Sequence, residues 1–250
     1  MANDKVEGRN PVMEALKSER EIDKILVAKG AKEGSINKVI GMAKDKGVFI
    51  QYVERQKLNE IAESNNHQGV IALVAAYKYT EVEDILEIAR RKGEKPFVIL
   101  LDEIMDPHNL GSIMRTADAV GVHGIVIPKR RSVGLTATVA KTSAGAIEYV
   151  PVAKVSNIAQ TIDKLKQEGL WIVGADMSGD KDYYHEDMKD AIALVIGNEG
   201  KGISRLIKEK CDFLVKIPMV GKVASLNASV AAATLMYEVF RQKNTDKQRL

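Results

Sequence analysis

Hydrophobic positions along the chain switch between two spacings, one suited to strands and one to helices. Up to about residue 75, short apolar runs at Lys24 to Ala28, Val48 to Val53 and Val70 to Ala75 alternate with helical spacing. Asn10 followed by Pro11 predicts a capped helix through Leu16. Ser35 predicts the start of a second, with Ile36, Val39, Ile40 and Ala43 on one face and Gly47 at its end. A third lies near Leu58 to Ala62, and His67-Gln68-Gly69 predicts a turn before the last strand.

From Pro96 onward the strands become continuously apolar, as in Phe97 to Leu101, which is the pattern of strands buried on both faces of a parallel sheet. Gly124 to Ile127, Leu170 to Val173, Ala193 to Ile196 and Phe213 to Ile217 repeat it between helical stretches. This alternation predicts an α/β fold built on a mostly parallel sheet. The stretch Val230 to Tyr237 is apolar on nearly every side, which predicts a helix buried against the sheet and against a second subunit. Between the two regions, acids and bases alternate around Val82, Ile85, Leu86 and Ala89, as in a helical connector. The expected organisation is a small domain over residues 1–76, a linker over 77–95 and a larger domain over 96–250, ending in a solvated tail.

Composition narrows the class. The chain has 250 residues, 45% hydrophobic and 28% charged, which suits a folded protein with a sizeable core and excludes a disordered tail. A single cysteine, Cys211, excludes an intrachain disulfide and a thiolate-rich metal site, and points to a reducing cytosol. His67, His108, His123 and His185 are scattered without ligand spacing, so no metal is expected. No apolar run reaches the roughly 18 residues of a membrane span, and the first residues lack the apolar core of a signal peptide, so a cytoplasmic protein is expected. Lys and Arg number 37 against 34 Asp and Glu, a formal charge of +3. That balance is too weak to name a polyanionic partner, so RNA contact would need local patches such as Lys129, Arg130 and Arg131.

Ligands of open parallel sheets bind beyond the carboxyl ends of the strands. Three polar clusters lie there. After Leu101 comes a segment in which Asn109 can cap a helix, with Gly111 and Arg115 four apart on one face, leaving space for a phosphate beside the guanidinium. After Ile196 comes Gly197-Asn198-Glu199-Gly200-Lys201-Gly202, a loop that permits close approach of main chain to a ligand. It matches neither the dinucleotide nor the P-loop pattern. After Ile217 come Pro218, Met219 and Gly221, then Ser225-Leu226-Asn227-Ala228-Ser229, where Ser225 or Asn227 can cap the next helix.

Together, Asn109-x-Gly111-x-x-x-Arg115, Gly197-Asn198-Glu199-Gly200 and the run from Ile217 to Ser229 resemble the SpoU/TrmH family of the SPOUT class, RNA 2′-O-ribose methyltransferases. The first 75 residues resemble the L30e/L7Ae-like RNA-binding domain, through Asn10-Pro11-Val12-x-Glu14-Ala15-Leu16 and His67-Gln68-Gly69-Val70. Within the family the likeness leans toward members that methylate a guanosine of 23S rRNA. The resemblance implies a C-terminal trefoil knot, although threaded chains are rare. It also implies S-adenosyl-L-methionine as cofactor and a homodimer whose sites draw on both chains.

By the same resemblance, Gly197, Gly200, Ile217 and Leu226 match cofactor-contact positions. Arg115, Asn109, Glu199, Ser225 and Asn227 match the catalytic set. Guanidinium stays protonated, so Arg115 is expected to clamp a phosphate and stabilise a developing alkoxide, with Glu199 as the candidate proton acceptor. Three alternatives stay open: a tRNA ribose methyltransferase of the family, a resistance relative acting on an adenosine of the same rRNA, and a noncatalytic RNA-binding or ribosome-assembly protein.

Overall fold

The computed structural model describes residues 5–18, 21–31, 34–62, 66–74, 77–222 and 225–245. The expected strand end at Ala75 and residues 246–250 of the expected ten-residue tail lie outside them, while 241–244 of that tail instead finish the last helix, with Gln242 buried. The chain forms two compact units, Met1–Lys78 with Gly134–Ala137, and Tyr79–Val133 with Thr138–Leu250.

In the first unit the elements are β1 (Lys5–Glu7), α1 (Arg9–Lys17), β2 (Ile22–Ala28), α2 (Ser35–Asp45), β3 (Ile50–Val53), α3 (Arg55–Ile61) and β4 (Val70–Val74). The strands lie in the order β1-β4-β2-β3, with β4 antiparallel to both its neighbours and β2 parallel to β3. Alternation along the strands divides the core. Ile25, Val27, Val70 and Ala72 meet α1 and α2 through Val12, Leu16, Ile36 and Val39, while Leu26, Ala28 and Ile71 meet Leu58 of α3.

The helix starts differ from expectation. Gly8, at φ 93°, is the N-cap of α1, and Asn10 and Pro11 fall in its first turn, where proline's missing N–H leaves nothing unpaired. Ser35 is the first helical residue of α2 rather than its cap. The expected turn is present, with Gln68 at φ 51° and Gly69 at φ 82°. It is held by buried His67, whose Nδ1 accepts from the Gly69 amide at 3.1 Å. Nε2 therefore carries the proton and donates to Asn59 at 2.8 Å.

In the second unit α4 (Val82–Lys92) precedes β5 (Phe97–Leu101), α5 (Pro107–Ala119), β6 (Gly124–Pro128), α6 (Ala137–Thr142) and β7 (Val152–Val155). Then come α7 (Ile158–Gln167), β8 (Trp171–Ala175), β9 (Lys181–Asp182), β10 (Ile192–Ile196), α8 (Arg205–Lys210), β11 (Phe213–Lys216) and α9 (Ala228–Asn244). All seven strands run parallel in the order β7-β6-β5-β10-β8-β11-β9. Val98, Leu100, Ile172, Ala193 and Val195 point to the face covered by α4, α7 and α8. The alternate positions face the opposite side, where α9 packs on β10 and on α5.

The stretch expected to be a linker belongs, from Tyr79 on, to the second unit. Val82, Ile85, Leu86 and Ala89 of α4 are buried, the first three within the same cluster as β5 and β10. Its amphipathic spacing belongs to a core helix, closed by a reciprocal cap between Glu81 and Asp84 and by left-handed Gly93. Cys211 is partly buried and its thiol is pushed up to about 12 by that burial.

Candidate active site at the carboxyl ends of the strands

The residues after β8, β10 and β11 and before α9 enclose a cavity of about 370 Å³. These strands are adjacent in the sheet, so the cavity lies where a ligand of a parallel sheet is expected. Its wall is apolar at Ile196, Ile217, Met219, Leu226 and Ala231, and it is lined by the backbone of Gly197 and Gly200 and by Ser225. A larger cavity of about 620 Å³ involves Phe97 at the start of β5. There Lys243 donates to the Lys95 and Pro96 carbonyls, and His123 accepts from the Phe97 amide.

The glycine-rich loop is a closed hairpin. Asn198 and Gly202 exchange backbone hydrogen bonds of 3.1 and 2.7 Å, and the Asn198 side-chain oxygen accepts from the amides of Gly200 and Lys201. A Cβ on Gly197 would stand 2.2 Å from the Gly202 carbonyl carbon, so this glycine is demanded by contact within the loop itself. Gly200 is different, since a Cβ there would meet only Asn198 Oδ1 at 3.6 Å. Open space thus surrounds this lining residue of the cavity.

Three polar residues from distant segments meet at the rim. Asn109 Nδ2 donates to Glu199 Oε1 at 2.9 Å, and Asn227 Nδ2 donates to Asn109 Oδ1 at 2.9 Å. Glu199 Oε1 also accepts from Asn227 Nδ2 and from the Ala228 amide. The three bonds to Glu199 all fall on Oε1, and Oε2 has no hydrogen bond to a described residue. Asn227 is also the N-cap of α9, its Oδ1 accepting from the Ser229 and Val230 amides. Asn109, by contrast, does not cap α5. Asp106 does, accepting from the His108 amide at 2.8 Å, with Pro107 in the first turn. That frees Asn109, 7% exposed, for the rim.

Two features of the first cluster depart from the sequence reading. The space at Gly111 is filled: a Cβ there would fall 1.9 Å from Thr142 Oγ1, so the glycine admits α6 rather than a phosphate. Arg115 stands apart from the rim. It is exposed, has no hydrogen bond or ion pair to a described residue, and lies six positions from Asn109. At about 100° per residue that places the two about 120° apart around α5.

Asp176, at the end of β8, was not singled out by sequence reading for this cavity, and no spacing rule marks it. Burial disfavours its charged form, but hydrogen bonds from Lys208 and from the Ser178 hydroxyl and amide outweigh that, and the carboxyl is held below its ordinary value. Its role in the wall is thus as a carboxylate paired with Lys208 at 2.6 Å. Among the described residues no cluster of three metal-ligating side chains occurs, and no helix is long and apolar enough to cross a membrane.

Residues 96–237 match the SpoU rRNA Methylase family, and residues 5–80 match the domain described as RNA 2′-O ribose methyltransferase substrate binding. YacO of Bacillus subtilis, which carries the name of a TrmH family tRNA/rRNA methyltransferase, is 57% identical over 242 residues, covering 97% of each chain. A Staphylococcus aureus protein named for the same family is 51% identical over 237 residues, covering 95% of each. Among solved structures, the SpoU methyltransferase AviRb from Streptomyces viridochromogenes, in complex with the cofactor AdoMet, is similar at a TM-score of 0.61 and 24% identity. That match covers 96% of this chain and 90% of AviRb. With both of its units matched in order and full-length relatives above half identity, the chain belongs to the SpoU/TrmH family of RNA methyltransferases.

Proposed function

We propose that this protein transfers a methyl group from S-adenosyl-L-methionine to the 2′-hydroxyl of a ribose in RNA, at a guanosine of 23S rRNA. The observation that carries this reading is the meeting of Asn109, Glu199 and Asn227 at the rim of an apolar cavity built from three strand ends. The cavity volume falls within the roughly 300 to 1,000 Å³ of small-molecule sites. Ile217, Leu226 and Ala231 suit an adenine ring, the Gly197–Gly202 backbone suits the ribose and amino-acid groups, and open space at Gly200 admits them. The residues present therefore fit the cofactor, which supplies an electrophilic methyl group when bound.

The chain's own part is positioning and charge. Glu199 Oε2 is placed to accept the hydrogen bond, and then the proton, of the 2′-hydroxyl. Asn109 and Asn227 fix that carboxylate by occupying Oε1. Ser225, on the cavity wall, orients the ribose. Arg115 remains cationic throughout, clamps the phosphate next to the reacting sugar and stabilises the developing alkoxide. Its direction away from Asn109 supports a role in the site of a second copy rather than in its own.

A second copy also accounts for α9. Its inner face is buried, but Val230, Tyr237 and Phe240 form an exposed apolar stripe, with the two rings packed edge to face. A homodimer closing on this stripe covers it. Sedimentation equilibrium is expected to find two copies per particle, and joint Tyr237→Asp and Phe240→Asp substitution to give folded monomers without methyl transfer. Active monomers would sink the dimeric site. The C-terminal knot of the family is part of the same proposal, supported by late strand β10 lying between β5 and β8.

The function itself is tested by incubating the protein with methyl-labelled cofactor and RNA from cells lacking the gene. Label is expected in 23S rRNA at one guanosine, resistant to alkaline cleavage on its 3′ side. Label confined to tRNA, or to an adenosine, would select another member of the family's range, and no label in any RNA would leave a binding protein.

A further inference from the structure

Glu103 directly follows Asp102 at the end of β5 and adopts φ 59°, while Arg131, in the loop after β6, adopts φ 56°. Both are side-chain-bearing residues in the left-handed region, where backbone and Cβ crowd. Their side chains form an ion pair, Arg131 Nη1 to Glu103 Oε1, at 2.8 Å. The carboxylate side is mostly covered, at 24% exposed, and the guanidinium side is 77% exposed. A pair so open to water returns too little to offset two left-handed residues, so the arrangement is not explained by stability.

The connections of Glu103 suggest another purpose. Its carbonyl accepts from Asn198 Nδ2 at 3.3 Å, and Asn198 is the residue that shapes the Gly197–Gly202 hairpin. The next carbonyl, of Ile104, accepts from the Val133 amide at 2.9 Å. Glu103 thus joins the cavity loop on one side to the loop carrying Lys129, Arg130 and Arg131 on the other. The guanidinium spends one of its nitrogens on Glu103 and keeps further N–H donors for an anion.

We propose that Glu103 is a positioning residue for the RNA, holding Arg131 and the basic loop 129–131 so that they meet phosphates flanking the nucleotide presented at Glu199. This rests on the function proposed above. The carboxylate restricts where the guanidinium points, so the phosphate contact is prepaid in order rather than formed from a mobile side chain.

The test compares Glu103→Ala, Glu103→Gly, Glu103→Gln, Arg131→Ala and the Glu103→Ala/Arg131→Ala pair with the unaltered protein. The substrate is RNA from cells lacking the gene, and cofactor affinity is read by calorimetry. Glu103→Ala is expected to raise the apparent KM for RNA roughly fivefold to tenfold, with kcat and cofactor affinity unchanged. The slope of log affinity against log salt should become shallower by about 0.7 to 0.9, the loss of one phosphate contact.

Glu103→Gly accommodates the left-handed backbone, so the same KM rise there assigns the effect to the lost side chain. Glu103→Gln keeps an acceptor for the guanidinium and should recover most of the loss. The double variant should be no worse than Arg131→Ala alone. Unchanged or tighter RNA binding in Glu103→Ala, a kcat loss matching any KM rise, or additive losses in the pair would overturn the proposal. Failure of the unaltered protein to label any RNA would instead overturn the function on which it rests.

Discussion

Arg115→Ala lowers methyl transfer at least about a hundredfold, the scale expected for removing one charge-stabilising donor from a transition state, while affinity for S-adenosyl-L-methionine stays the same. The expectation follows from where the residue stands. Arg115 does not line the cofactor cavity and has no bond to a described residue, so its removal disturbs neither the cavity wall nor the Asn109–Glu199–Asn227 rim. The reverse pattern is expected for Leu226→Ala, which removes part of the apolar wall and should weaken cofactor binding first. Calorimetry of cofactor binding beside single-turnover transfer separates the two. If Arg115 serves the second copy, mixing inactive Arg115→Ala chains with inactive Glu199→Ala chains restores part of the activity, because the mixed dimer holds one intact site out of two. Parallel loss of cofactor affinity and transfer in Arg115→Ala would refute this division.

Gly197→Ala is expected to be the most damaging change to cofactor binding. The added methyl would lie 2.2 Å from the Gly202 carbonyl carbon and 2.3 Å from the Ile203 amide nitrogen, both backbone atoms that no rotamer change can move. The hairpin must open or shift, so cofactor affinity should fall about a hundredfold or more, equivalent to about 2.7 kcal/mol. Overpacking of this kind also costs about 1 to 3 kcal/mol of stability, which lowers Tm by several degrees in a protein of this size. Gly200→Ala supplies the contrast. Its methyl meets only Asn198 Oδ1 at 3.6 Å, so Tm should hold while cofactor affinity drops through occupied space alone. Thermal scans with and without cofactor check both, and a Gly197→Ala protein that binds normally would show that the hairpin is not rigid.

The strands that read most plainly from sequence are those buried on both faces. Phe97 to Leu101 coincides with β5 because five successive apolar residues leave no solvent face to misjudge. The short strands β1, β7 and β9 carry no such run, and their extended form depends on the partner strand beside them. Among the caps, Asn227 was one of two candidates with Ser225 and is the one that caps α9, whereas Asn109 was mistaken for a cap because Asp106-Pro107, three residues earlier, offered the better one. Gly111 announced a close approach but not its occupant, since Thr142 lies thirty-one positions away. That Asn109 and Asn227 meet on one oxygen of Glu199 depends on the first turn of α5, the hairpin after β10 and the start of α9 coming together, which no local pattern encodes. Glu103 left no sequence signal at all, because a left-handed glutamate looks like any other.

The placement of β10 has a consequence for how the chain is made. Phe97 of β5 is paired with Ile192 of β10, and Trp171 of β8 pairs with the same residue. During synthesis β5 emerges long before β10, the strand that joins it to β8, so its unpaired edge waits in the growing polypeptide. Maturation of the second unit should therefore be slow and post-translational, limited by pairings distant in sequence, while the first unit closes early on the ribosome.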